Sequence, residues 1–223
     1  MNQHFSKKVA AIVCAYNEAP RITRVLKTLL ASPYVSEVIV VDDGSVDGTA
    51  QVAALKGVRV LVNSVNKGKA YSMQRGVEAT DAEVLFFADA DLRGLTPEMV
   101  SSMITPVLLG HYAMFIGLRN RVSERSISLF SVNSGERAVM RTLWEAVPLQ
   151  FKRQYRIEAG LNLIAKQQFG GFGSKVFNYN QTAKEKKYGV VRGTFLRCKM
   201  ATDVAYAYVL HVPELVRRDS LAR

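Results

Sequence analysis

Two rhythms of apolar and polar residues alternate along the first part of the chain. Short apolar runs rich in β-branched and aromatic residues fall at Val9 to Ala15, Glu37 to Val41, Val58 to Val62, Val84 to Ala88 and Ala113 to Leu118. Runs this short and this continuously apolar predict strands buried on both faces. Between them the spacing lengthens. Ile22, Val25, Leu26, Leu29 and Leu30 recur at helical intervals, with Pro20 near the start and Pro33 beyond the end, which predicts an amphipathic helix. Thr49 to Leu55 and Ala70 to Ala79 predict two more. Thr96-Pro97-Glu98 opens a fourth with a capping hydroxyl, a proline at the first helical position and an acid in the first turn. Strands alternating with helices imply an α/β fold with a mostly parallel sheet flanked by helices. Ligands of such sheets bind at the carboxyl ends of the strands.

The rhythm changes after residue 120. Residues 135–147 and 157–168 predict helices, "GGFGSKVFNYNQ" a glycine-rich turn into a strand, and "MATDVAYAYVLHVPELVRR" a terminal helix interrupted at Pro213. No repeat, low-complexity segment or linker divides the chain, so one domain over residues 1–223 is expected.

Composition narrows the class. With 48% hydrophobic and 22% charged residues the chain reads as an ordinary globular protein. No apolar run approaches the roughly 20 residues that span a bilayer. The apolar stretch near the N-terminus is only about eight residues long with no cleavage site after it, and reads as a first strand rather than a leader. A cytoplasmic protein is the expectation. Cys14 and Cys198 are too few for a disulfide framework or a structural zinc site, and Cys14 reads as a reduced core residue. The net charge of +11 points to anionic ligands, and most of the excess lies in residues 151–223.

Candidate chemistry gathers where three of the first four strands end. "CAYNEAP" supplies Asn17 and Glu18, "VIVVDDGSVDGT" supplies Asp42, Asp43, Ser45 and Asp47, and "FFADADL" supplies Asp89 and Asp91. Any one cluster is an ordinary turn, since Asn, Asp, Gly and Ser connect strands to helices. Three at one sheet edge suggest a site. Asp43 can accept hydrogen bonds from a ribose or a uracil edge. Asp89 and Asp91, separated only by Ala90, can share Mg²⁺ or Mn²⁺ through oxygen ligands, and that ion would stabilise a departing diphosphate. Lys67 and Lys69 flank Gly68 at a helix start, a place suited to anions. There is no Walker A loop and no G-x-G-x-x-G fingerprint.

The order "AYNE", "VVDDGSVDGT", "NKGKA" and "ADADL" resembles family 2 glycosyltransferases of the GT-A fold over roughly residues 7–120. The resemblance implies a nucleotide-sugar donor, a UDP-sugar ahead of a GDP-sugar. It implies a metal on Asp89 and Asp91, with Asp91 also catalytic. The nucleotide would be recognised by Ala15, Tyr16, Asn17, Glu18, Asp43, Lys67 and Ala90. "SGERAVMR" and "QYRIEAGLNLIA" are similar to the acceptor side of glucosyl-3-phosphoglycerate synthases and polyprenyl-phosphate glycosyltransferases. That similarity makes Gly135, Glu136 and Arg137 acceptor-loop candidates and Glu158 the second catalytic carboxylate. It also divides the chain into a nucleotide-sugar half, 1–120, and an acceptor half, 121–223. Relatives often add a histidine as a third metal ligand. "FNYNQTAKEKKYG" has none, leaving Gln181 or Asn180 as poorer substitutes, and His211 reads as structural.

The implied reaction is hexose transfer to an anionic acceptor such as a polyprenyl phosphate, a glycolipid or phosphoglycerate. Peripheral contact with the inner face of a membrane, through Tyr206, Tyr208 and Val209 beside Arg217 and Arg218, and a homodimer are both compatible with the sequence. "TAKEKKYGVVRG" reads as a charged turn or a basic lid. A sugar-phosphate nucleotidyltransferase is disfavoured because "AYNEAPR" lacks its glycine-rich signature. A nucleic-acid binder is disfavoured because no aromatic-basic interleaving or recognition helix occurs.

Overall fold

The computed structural model of the chain describes residues 6–120, 136–182 and 189–221, with the side chains of 192, 196, 197 and 210–221 outside that description. The N-terminal strands are β1 (Val9–Ala15), β2 (Glu37–Asp42), β3 (Val58–Val62) and β4 (Val84–Asp89). Three helices connect them: α1 (Ala19–Leu30), α2 (Thr49–Ala53) and α3 (Lys69–Glu78). After a short β5 (Leu92–Arg93) come α4 (Pro97–Leu108) and β6 (Met114–Arg119). β7 (Arg137–Met140), α5 (Arg141–Ala146), α6 (Ile157–Gln168), β8 (Gly173–Phe177), β9 (Asn180–Gln181) and α7 (Val190–Leu221) complete the chain.

The main sheet has the order β3-β2-β1-β4-β7-β6-β8. Its pairs are parallel except where β7 lies antiparallel between β4 and β6. β5 and β9 form a separate two-stranded ribbon that places Leu92 opposite Gln181. The helix predicted over 135–147 is therefore corrected. Arg137–Met140 is a strand, and only Arg141–Ala146 is helical. Arg, Ala and Met favour helices in isolation, but the ladder sites offered by two neighbouring strands override so weak a preference.

Alternation along β4 distributes the core. Val84, Phe86 and Ala88 join the layer under α1 and α4, whereas Leu85 and Phe87 join the layer under α3, α5 and α6. A strand sends alternate residues to opposite faces, so Asp89 follows Leu85 and Phe87 to the second side. α1 buries the expected stripe of Ile22, Val25, Leu26 and Leu29. α4 starts as expected, with Thr96 accepting from the Met99 amide at 3.3 Å. Gly44 turns β2 towards α2 at φ 74, and a Cβ there would stand 2.7 Å from the Val65 carbonyl carbon. Only glycine permits both the turn and the approach. α7 packs on α6, with Ala207 in the second core layer, and runs past Pro213 to Leu221 without the interruption expected there. At their junction the Arg156 guanidinium lies 4.5 Å from the Tyr206 ring centroid. Among the described residues no helix is long and apolar enough to cross a membrane.

Candidate active site

Parallel register brings the polar strand ends to one edge: Ala15 lies opposite Asp42, and Cys14 opposite Asp89. Past β1, Asn17 takes a left-handed backbone at φ 55, a conformation asparagine tolerates. Its Oδ1 accepts from the Val46 amide at 3.0 Å, and its own amide donates to Ser45 Oγ at 2.9 Å. Glu18 is buried, with its amide donating to Thr49 Oγ1 at 2.8 Å and its carboxylate paired to Arg21 Nε. Asp42 accepts from the Ser45 amide at 3.0 Å, and Asp47 accepts from the Ala19 and Thr49 amides at 3.1 Å each. Much of "DGSVDGT" therefore ties the first two strand–helix turns together.

Asp43 is buried as well. Its Oδ1 accepts from Asn63 Nδ2 at 2.7 Å and the Lys67 amide at 2.9 Å, and its Oδ2 accepts from the Gly68 amide at 2.8 Å. These contacts pin the loop that leads into α3. An ionised carboxylate offers about four acceptor positions, so these three bonds leave capacity for a ligand donor. Asn63, held by Arg75 Nη1 at 2.5 Å and donating to Ser72 Oγ at 3.2 Å, is a positioning residue that sequence reasoning missed. Its place at the same edge was legible, since it is the polar residue that closes β3, but its partner was not.

Face alternation carries Asp89 to α3 and α6, where Lys69 waits. Lys69 Nζ donates to Asp89 Oδ1 at 2.9 Å and stands 3.0 Å from Glu158 Oε1. Burial alone would pull this ammonium down. The Asp89 and Glu158 carboxylates outweigh burial and hold it well above the usual lysine range. Lys67 places Nζ 3.2 Å from Tyr71 Oη and 4.6 Å from the centre of that ring. Lys69 is the lysine that joins the carboxylates. Glu158 is buried in the first turn of α6, where the expected helix start and the helix dipole both favour an acid. Tyr16 and Ala15 follow from the end of β1, and Ala90 is buried between the two site aspartates.

Gln181 reaches the same place from the β5–β9 ribbon. Its Nε2 donates to Asp89 Oδ2 at 2.7 Å and to Asp91 Oδ1 at 3.0 Å. Behind it, Arg119 donates to Gln181 Oε1, and Tyr179 Oη lies 2.8 Å from Glu136 Oε2. Burial opposes the Arg119 charge, which Glu136 and Asp89 more than restore. Arg137 is fully buried, and its Nη1 donates to the Glu158 carbonyl and to Asn162 Oδ1 at 3.3 Å each. Glu136 and Arg137, expected on an acceptor loop, are thus buried behind the site. Gly135, residues 183–188 of the expected basic loop, and the His211, Arg217 and Arg218 side chains lie outside the described residues.

The residues present fit a divalent cation. Two carboxylates converge on one atom, Gln181 Nε2, and both are hard oxygen donors of the kind Mg²⁺ and Mn²⁺ prefer. Among the described residues no group of three or more His, Cys, Asp or Glu side chains is placed to hold an ion.

Residues 10–178 match the family model for glycosyl transferase family 2. The chain belongs to that family. An uncharacterized protein of Methanocaldococcus jannaschii is 31% identical over 122 residues, which cover 53% of this chain and 49% of that protein. Glucosyl-3-phosphoglycerate synthase of Mycobacterium tuberculosis is 29% identical over 138 residues, covering 58% of this chain and 42% of that protein. The chain spans about half or less of the length of these curated relatives. A crystal structure of the same synthase in complex with Mn²⁺, UDP and phosphoglyceric acid matches with a TM-score of 0.75 at 22% identity, covering 92% of this chain and 78% of the other. The expected GT-A fold is therefore correct.

Proposed function

We propose that this chain transfers a hexose from a nucleotide sugar, a UDP-sugar ahead of a GDP-sugar, to a phosphate-bearing or otherwise anionic acceptor with the help of Mg²⁺ or Mn²⁺. One observation supports the reading above the rest: Asp89 and Asp91 converge at the carboxyl edge of the sheet, with Lys69 and Glu158 beside them. Residues 1–120 form the donor side, where Ala15, Tyr16, Asn17, Glu18, Asp43, Lys67 and Ala90 bind the nucleotide. Residues 121–223 form the acceptor side of the same domain.

A cation held by Asp89 and Asp91 supplies the positive charge that offsets a departing diphosphate. The chain does the rest. Asp43 sets the loop of Lys67 and Gly68 and keeps acceptor capacity for a ribose or base. Lys69 adds a permanent positive charge beside Asp89. In an inverting reaction Glu158 takes the proton of the acceptor hydroxyl; in a retaining one it positions the donor sugar. The Mycobacterium tuberculosis synthase, crystallised with Mn²⁺, UDP and phosphoglyceric acid, supports this donor and acceptor class. The excess of basic residues in 151–223 suits phosphoglycerate, a polyprenyl phosphate or an anionic glycolipid. A cytoplasmic protein touching the inner membrane face fits the last two acceptors.

Calorimetric titration of UDP with and without Mn²⁺ tests the proposal. Binding that Mn²⁺ strengthens in the native chain and that Asp91→Asn makes indifferent to Mn²⁺ is the expected result. Equal Mn²⁺ dependence in the variant would refute the site.

A further inference from the structure

Gln181 occupies the point where the two site carboxylates converge, and it faces them with its donor end. Nε2 donates to Asp89 Oδ2 at 2.7 Å and to Asp91 Oδ1 at 3.0 Å, while Oε1 accepts from Arg119 Nη1. Turning the amide over would set its oxygen against two carboxylates and its NH₂ against a guanidinium. The neighbouring charges therefore dictate which way the amide points. The backbone supports the arrangement, because Gln181 pairs with Leu92 directly beyond Asp91. Lys69 is not in the same position, since it takes the other Asp89 oxygen, Oδ1.

We propose that Gln181, oriented by Arg119, competes with the divalent cation for the site carboxylates, so that the amide must leave before the ion can enter. The inference rests on the reading of Asp89 and Asp91 as the cation-binding pair. An amide N–H and a cation cannot use the same carboxylate lone pairs. Displacing the amide breaks two charge-assisted hydrogen bonds, and a cation arriving alone gains only the two carboxylates in exchange. A cation arriving with a diphosphate gains the phosphate oxygens too, which offsets the loss. Gln181 thus makes ion binding depend on nucleotide, and it leaves the nucleotide-free site ion-poor.

Mn²⁺ binding to the full chain without nucleotide, measured by calorimetry and by loss of the free-ion EPR signal, tests the idea. Hydrogen bonds to charged acceptors are worth enough that Gln181→Ala should tighten Mn²⁺ binding on the order of ten-fold. The dependence of Mn²⁺ affinity on UDP should shrink correspondingly. Arg119→Met frees the amide to turn its oxygen toward the ion and should shift affinity in the same direction. If Gln181→Ala folds poorly, Gln181→Met keeps the side-chain length without N–H groups and carries the same expectation. Unchanged or weaker Mn²⁺ binding on loss of the amide overturns the inference, the weaker case meaning that Gln181 is itself a ligand. If neither the native chain nor Gln181→Ala binds Mn²⁺ even with UDP present, the reading of the carboxylate pair fails instead.

Discussion

Lys69 and Glu158 stand 3.0 Å apart, and the side chain of Glu158 is only 7% exposed. The lysine comes from the first turn of α3 and the glutamate from the first turn of α6, so one ammonium joins both helices to the end of β4. Removing one partner of a buried ion pair leaves the others uncompensated. Because this cluster is partly open to solvent, Lys69→Met should cost about 1–3 kcal/mol rather than the full buried-pair penalty. Urea unfolding at neutral pH checks the figure. A cost below about 0.5 kcal/mol would mean that the pair is solvent-screened.

Glu158→Gln keeps the shape of the side chain and removes its charge. If Glu158 is the proton acceptor, kcat should fall by at least about 100-fold, while UDP affinity stays within about three-fold of the native chain. Single-turnover assays with a nucleotide sugar, alongside calorimetry, separate the two quantities. A fall of only a few-fold would assign Glu158 to positioning.

Asn63→Asp would set a second carboxylate 2.7 Å from Asp43 Oδ1 in a buried position. Like charges so close retain a proton, so UDP binding should acquire a pH dependence. Affinity should be about ten-fold weaker at pH 8 and should recover towards pH 5 as the pair takes up that proton. Binding measured at both pH values decides; a flat profile would remove Asn63 from the Asp43 network.

Alkaline pH should loosen the fold. Burial pushes the Cys14 thiol up from 9.0 to about 12, and the Asp89 and Glu158 carboxylates hold Lys69 above its usual 10.5 against the pull of burial. Each group keeps its proton longer in the folded chain than in the unfolded one. The unfolded state therefore binds fewer protons, and stability falls as pH rises. For Cys14 the loss should begin near pH 9 and run to about 12. Urea midpoints at pH 8 and pH 10.5 should differ more in the native chain than in Cys14→Ala.

The same environment should silence Cys14 as a nucleophile, because the thiolate is the reactive form. Iodoacetamide at pH 8 should label Cys198, which is exposed, and spare Cys14. Peptide mass spectrometry reads the result directly, and equal labelling would show that the β1 end opens readily.

The N-terminal strands were legible as near-continuous apolar runs: Val9–Ala15 falls where the pattern put it and is covered on both faces, whereas Val58–Val62 keeps its place but, at the sheet edge, is only partly buried. That Asp89 and Asp91 lie together at the sheet edge was legible because they directly follow so apolar a run. β7 was not, since Arg137–Met140 becomes a strand only when β4 and β6 offer it a slot. That Lys69 joins Asp89 and Glu158 depended on which side chain α3 turns towards the second sheet face, and motif spacing does not reveal that. Asn63 and Arg119 were missed for a related reason. Their partners are 20 and 62 positions away, so the contacts exist only after strand register is set.

The reversed strand between β4 and β6 bears on how this protein can be divided. A fragment cut at residue 120 would lose the neighbour that covers Leu85 and Phe87 in the ladder, and β6 would be severed from the rest of the sheet. The portions before and after residue 120 therefore cannot be exchanged between homologues as separate cassettes. A chimera would have to carry both sides of that seam, or accept an open sheet edge prone to aggregation.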